Sequence, residues 1–464
     1  MSSSPYQACT PVRAPRGRRV TAAPYLAACA IAAAPLGRPA AAQQVADPVR
    51  AAAASAPAAL TLDSVYALVA RRSPRTQAAA ALARAAQARV PGASRPPDPE
   101  LQLGFMNYSL PDVRPDATLG MTQLQLMQMV PIPGKLSAAG RGARARSDAA
   151  GARALEAGWE ARTAAAMAFY ERYEAEGGIA IARETRRLLE DVSGVASAMY
   201  RVGEGRQADV LRARVEIARM DEEVVRMGAM RDGATARLAA AADVPDVVVA
   251  GTPVLPAFPD SLASREALER LALEARPMLA AGAADERAAA ADAALARREL
   301  WPDVQLGVQY GQRRMEMGVD RMGSLMIGAA LPLFAGSRQL RMRDEASAMR
   351  AMAAAELTAM RADTRARVGE VHAALASARR LATLYRATVL PQAEASTTSA
   401  LASYRSGGVD FMTVVDNRMS VNRYRQELLA LDAAEGRAWA ELEMLLGRPL
   451  VTSTAALPAA EGGR

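Results

Sequence analysis

The sequence predicts a mainly α-helical chain with a smaller β component, organised as a duplicated helix-strand-strand-helix-helix unit. Three observations carry this. First, five ordered landmarks recur at a nearly constant shift: Pro74 with Pro277 and "PELQLGF" (Pro99 to Phe105) with "PDVQLGV" (Pro302 to Val308) at 203 residues, Pro131 with Pro332 at 201, and "YRVG" (Tyr200 to Gly203) with "YRSG" (Tyr404 to Gly407) and Pro245 with Pro449 at 204. Second, short segments alternate apolar and polar residues with a period of two. Third, the segment from Ala138 to Tyr200 contains no proline. At 1.5 Å per residue it makes a rod of roughly 90 Å, far longer than a globular domain of this size needs.

Composition agrees. The 464 residues are 51% hydrophobic but only 4% aromatic, a supply suited to long, closely packed alanine-rich helices. Net charge is +8, yet Arg13, Arg16, Arg18, Arg19 and Arg38 fall in the first 42 residues, which hold no acid. Removing those five arginines from 57 basic residues leaves 52 against 49 acids, so the remainder is near balance. No basic tract interleaved with aromatics occurs, which argues against a nucleic-acid partner.

The elements follow in order. Residues 1–42 read as an export signal: an arginine cluster, an apolar stretch from Val20 to Leu36, and "AAA" (Ala40 to Ala42) as the cleavage site. "LAAC" (Leu26 to Cys29) offers a lipoprotein cleavage site instead. Cys9 and Cys29 are the only cysteines, so cleavage after Ala42 leaves no thiol and excludes disulfides and cysteine chemistry. An alanine-rich linker covers 43–59, repeat 1 covers 60–250, repeat 2 covers 251–450, and a tail covers 451–464. No run of 18 apolar residues follows the signal, so any membrane entry must be made by strands.

Within repeat 1, "LTLDSVYALVARRSP" opens a helix with Thr61 or Asp63 as cap and Pro74 near its stop; the partner helix opens around Ser264 and runs toward Pro277. Strands are expected at about 99–109 and 118–130, then at 302–313 and 322–333. Leu101, Leu103 and Phe105 oppose Gln102 and Gly104; Leu124, Leu126 and the residues around Met129 oppose Gln123, Gln125 and Gln128; Val304, Leu306 and Val308 oppose Gln305, Gly307 and Gln309. A barrel strand with a wet lumen and a half-buried soluble hairpin both fit this alternation. Long helices are expected at about 136–200, 207–243, 337–403 and 411–447. A three-four apolar stripe from Val210 to Leu238 recurs from Val414 to Leu442, which predicts coiled-coil packing. A charge interrupts both stripes at the same place, Arg231 and Glu435, and these either meet across equivalent helices or face solvent.

The chain resembles the TolC-like outer-membrane efflux protein family over about residues 60–450. The likeness rests on "LTLDSVYALVARRSP", "DPELQLGF", "VPIPGKL", "YRVGEGRQADVLRARVE", "ALPLFAGSRQ" and "YRSGGVDFMTVVDNRMSVNRY", in that order and doubled. The resemblance implies a homotrimer whose chains each give four strands to one twelve-strand β-barrel, continued by a long α-helical coiled-coil tunnel into the periplasm. It implies outer-membrane lipid around the barrel, and a periplasmic adaptor (membrane fusion) protein and an inner-membrane pump as partners. The function implied is a passive, gated exit duct. A soluble periplasmic coiled-coil adaptor or scaffold without a pore is the alternative.

Under that resemblance Pro131, Pro133 and Gly134, with Pro332 and Gly336, mark the strand-to-helix junctions, since proline cannot extend a ladder and suits a helix start. Loops 110–118 and 313–321 become the extracellular tips, and Trp301, Tyr108, Tyr310 and Phe334 lie near strand ends, where an aromatic belt or ordinary strand packing accounts for them equally. The periplasmic gate falls at the "YxxG" breaks. Asp209 matches the family's acidic position in the first copy and Asp416 one of two in the second, Thr413 standing at the other. Tyr404 is the linking tyrosine; Val409 replaces the arginine expected five residues later, and Arg206 offers another latch. A ring of such carboxylates favours cations, while helix capping is the structural alternative for Asp209.

Nothing catalytic is legible, and no cofactor is expected. His372 is the only histidine, so a triad or zinc site has no partners, and "GEGR" does not match a phosphate loop. Of 22 methionines, Met315, Met317, Met322 and Met326 gather around the second tip and Met121, Met127 and Met129 around the first strand pair. Thioether clusters bind copper(I), and methionine also serves as apolar filler.

Overall fold

The computed structural model describes residues 59–109, 114–115, 120–315 and 318–451. The expected signal segment, the expected linker up to residue 58, most of the first expected tip, Met317 and the tail beyond 451 lie outside the described residues.

Repeat 1 begins with strand β1 (Ala59–Thr61) and helix α1 (Leu62–Arg72). Thr61 is its N-cap, its hydroxyl accepting from the Ser64 N–H at 3.3 Å. The helix stops just before Pro74, as the sequence predicts, and Pro74 opens a second helix, α2 (Pro74–Ala93). Its counterpart Pro277 likewise opens α6 (Pro277–Arg298), after α5 (Arg265–Ala275) capped by Ser264. The residues before each proline, Ser73 and Arg276, hold ψ near 120°, which breaks one helix and lets proline start the next. Each copy therefore carries two helices, not one, before its strands.

The strands are β2 (Glu100–Met106), β3 (Tyr108–Ser109), β4 (Arg114–Pro115) and β5 (Met121–Val130) in repeat 1. After β6 (Thr252–Val254), repeat 2 supplies β7 (Val304–Met315) and β8 (Gly318–Ala329). The long strands form one antiparallel sheet in the order β2-β5-β7-β8. Most of the expected loop 313–321 is thus strand. Ladder pairing is unbroken, so one face holds Leu101, Leu103, Leu124, Leu126, Leu306, Val308, Leu325 and Ile327 and the other Gln102, Gln123, Gln125, Gln305 and Gln309. Two residues change sides from the sequence expectation. Met129 pairs with Gln305 on the glutamine face, and Gln128 pairs with Leu306 on the leucine face. The pleat stays regular to Val130, and Gln128 satisfies its amide by donating to Pro97 O at 2.8 Å.

Below the sheet run α3 (Lys135–Arg201) and α4 (Gln207–Ala242), and in repeat 2 α7 (Gln339–Leu384), a π-helical turn (Tyr385–Val389), α8 (Leu390–Arg405) and α9 (Phe411–Leu446). The 67 residues of α3 reach about 100 Å. The expected rod at 337–403 is interrupted because Pro391 has no N–H to give and its ring crowds the carbonyl four residues earlier; the wider π turn absorbs both. Arg231 and Glu435 do not meet. Arg231 pairs with Asp232 at 2.8 Å and Glu435 with Arg379 at 2.7 Å.

Two apolar clusters knit the middle of the molecule, one around Leu60, Phe169, Tyr170 and Leu238, the other around Leu268, Leu375, Trp439 and Leu442. The parallel pairing of β1 with β6 ties the start of repeat 1 to the start of repeat 2. Gly436 lets α9 approach so closely that a Cβ there would lie 2.2 Å from the Tyr170 ring.

Candidate functional site: the helical tip and the strand-to-helix junctions

Both helical hairpins turn by the same device. Tyr200 and Tyr404 stand three residues before glycines with φ of +85° and +75°, Gly203 and Gly407. In the first turn Gly203 N–H donates to Tyr200 O at 3.1 Å and Glu204 N–H to Met199 O at 3.0 Å; in the second Gly407 N–H donates to Tyr404 O at 3.1 Å and Gly408 N–H to Ser403 O at 2.8 Å. These are the two bonds of a Schellman cap, which needs the left-handed conformation glycine adopts freely. The "YxxG" spacing is thus the cap itself.

Packing separates the two tyrosines. Tyr200 is 46% exposed, whereas Tyr404 is 6% exposed in a tip cluster with Val192, Ala196, Ala213, Phe411 and Val414, its ring edge-on to Phe411 at 5.6 Å. Burial raises the Tyr404 phenol above its usual range, and the Asp209 and Asp410 carboxylates push the same way. Arg206, Asp209 and Tyr404 line one cavity of about 410 Å³ together with Val409 and Asp410. Arg206 is the N-cap residue of α4 and exposed; Asp209 sits in the first helical turn, where its charge suits the helix dipole. Thr413 and Asp416 lie exposed on α9 outside that lining. Val409 packs against the apolar tip cluster.

Above the tip, polar ties missed by the sequence reading bind the hairpins. Arg425 on α9 reaches Glu184 on α3 at 2.9 Å and Glu394 on α8 at 2.7 Å. Thr185 donates to Asn422 Oδ1 at 2.9 Å, both side chains buried. These residues sit on different helices, so no local spacing advertises them.

At the other end, Gly134 takes φ of +94° as N-cap of α3, and Arg298 donates to Pro133 O at 2.7 Å. Asp303, just before β7, accepts from the Ile132 N–H at 3.1 Å and from Lys135 Nζ at 2.9 Å, and Lys135 also donates to Trp301 O at 3.2 Å. One carboxylate therefore ties together the end of β5, the start of α3 and the start of β7. Its repeat-1 counterpart is Glu100, in the duplicated "PELQ" and "PDVQ". Pro131 follows β5 directly; Pro332 and Gly336 lie in a series of exposed or half-buried turns between β8 and α7.

No helix among the described residues is long and apolar enough to cross a membrane. Among them, too, no three His, Cys, Asp or Glu side chains gather as a metal cluster. His372 lies half-buried on α7.

The family model described as "Outer membrane efflux protein" matches residues 65–244 and 268–448, one match per repeat. The fold is similar to the outer-membrane channel OprN (TM-score 0.72, 19% identity, 84% of this chain and 91% of that one) and to VceC of Vibrio cholerae (0.71, 19%, 84% and 96%). It is also similar to the open state of the MtrE channel of Neisseria gonorrhoeae (0.70, 15%, 85% and 91%). No curated protein matches the chain.

Proposed function

Because the chain belongs to the outer membrane efflux protein family, we propose that three copies close a twelve-strand barrel and form the exit duct of a tripartite exporter. A periplasmic adaptor and an inner-membrane pump complete the assembly. The observation that carries this is the sheet. Leu325 and Ile327 are each 72% exposed on a face of leucine and valine, and β2 and β8 are each paired on one side only among the described residues. Apolar exposure suits lipid, but lipid tolerates no open sheet edge, and four strands are too few to close.

Duplication says how the edges meet. Within the chain, repeat 2 sits beside repeat 1 through the joint Lys135–Asp303. Repeating that relation places β8 beside β2 of the next copy and the start of α7, where Arg338 is the N-cap residue, beside Glu100, the counterpart of Asp303. Arg338 and Glu100 are both exposed. At the far end, Asp209, Arg206 and Tyr404 form the gate lining, with Thr413 and Asp416 facing the passage. Opening separates the hairpins that Arg425 and the Tyr404 cluster hold.

The test uses the absence of cysteine after Cys29. Glu100→Cys with Arg338→Cys, treated in outer membranes with a short bis-maleimide, should give dimers and trimers on a denaturing gel, and neither single variant should exceed dimers. Monomers alone, in a protein extracted by salt without detergent, would refute the duct.

A further inference from the structure

The sheet register sorts the strand methionines. Residues opposite each other in a ladder share a face. On β5, Met121, Met127 and Met129 alternate with Leu124 and Leu126 and lie with Gln123 and Gln125; Met106 on β2 pairs with Met121. On β7, Met315 is in phase with Gln305 and Gln309; on β8, Met322 pairs with Gly311 and Met326 with Gly307. Every methionine in the described strands is therefore on the glutamine face. Methionine used as apolar cover belongs on the leucine face, toward lipid, because a barrel interior is polar and wet. All seven lie on the opposite face.

One glycine lets two of them converge, and a second lies between strands that each carry one. A Cβ placed on Gly307 would lie 3.3 Å from Met326 Cε and 3.7 Å from Met127 Cγ, so side chains from the two flanking strands fold over one glycine. A Cβ on Gly311 would lie 3.6 Å from Met121 Sδ, and Met322 is the residue opposite Gly311 on β8. The two rows stand four residues apart along β7, about 13 Å.

We propose that these rows are soft-cation sites, and that copper(I) and silver(I) are among the substrates of the duct. The proposal rests on the exit-duct reading, which makes the glutamine face the lumen. Thioether sulfur is a soft, neutral donor that favours such ions over potassium or magnesium. Glutamine carbonyls beside it supply further neutral contacts. Neutral donors in successive rows hold a cation weakly enough to pass it on, as conduction requires. No redox step is involved; the ion enters and leaves as copper(I) or silver(I).

The full chain, purified in detergent, is titrated against a chromophoric copper(I) chelator under reducing conditions, and potassium conductance is measured in planar bilayers. The wild type should withdraw copper(I). Met127→Leu with Met326→Leu, and separately Met121→Leu with Met322→Leu, should each weaken that binding at least tenfold, while Met342→Leu with Met349→Leu on α7 leaves it unchanged. Potassium conductance should be equal in all four proteins. A wild type that conducts potassium but withdraws no copper(I), or strand variants that bind as the wild type does, overturns the proposal and leaves the duct standing. A wild type without conductance and without a heat-sensitive trimer overturns the duct, and the lumenal placement with it.

Discussion

Replacing Glu443 with glutamine tests how the middle of the molecule is held. The Glu443 side chain is 1% exposed and Arg162 8% exposed, joined at 3.1 Å. One carboxylate oxygen takes the Arg162 guanidinium and the other accepts the Leu450 and Val451 N–H groups at 2.7 and 2.9 Å. Arg162 lies over the Tyr66 ring, 3.6 Å from its centroid. Glutamine keeps an acceptor for the two N–H groups but leaves the guanidinium buried without a counter-charge. Breaking such a pair from one side costs about 3–5 kcal/mol. Adding Arg162→Met removes the stranded charge, and a double substitution of this kind retains stability far better than the single one. Helical signal at 222 nm against guanidinium chloride, on detergent-solubilised protein, gives the comparison. The double variant should recover at least about 2 kcal/mol relative to Glu443→Gln. Strict additivity of the two single effects would refute the claim that a paired, buried charge is what the site contains.

Two further outcomes follow from packing and titration. Gly436→Ala should destabilise by about 1–3 kcal/mol through overpacking against Tyr170, and Tyr170→Leu in the same chain should relieve it; the same denaturation assay reads both. Tyr404 has its folded pKa raised above the ordinary 10. The stability it contributes is fully present below pH 10 and is lost as pH rises through the raised value, when a phenolate forms beside Asp209 and Asp410. Limited proteolysis of the tip should accelerate in that alkaline window in the wild type, and Tyr404→Phe should flatten the difference.

The sequence alone determined the elements and their duplication. At both "YxxG" breaks the glycine takes a positive φ and the Schellman cap is closed by backbone groups within six residues, so the helix end is a local matter. Alternation and proline placement are equally local, so the strands, the long helices and the stop of the first helix of each copy at Pro74 and Pro277 are legible; the second helix that each proline opens is not. Chemistry between repeats was not legible. Asp303 meets Lys135 across 168 residues of chain, and Arg425 joins helices from both copies. Tyr200 and Tyr404 look alike in sequence, yet only tertiary packing buries the second. The same holds for the methionines: hydropathy lists them as apolar, and a one-residue slip would carry them to the other face. Sheet register, fixed by ladder bonds between strands nearly 200 residues apart, decides which side they line.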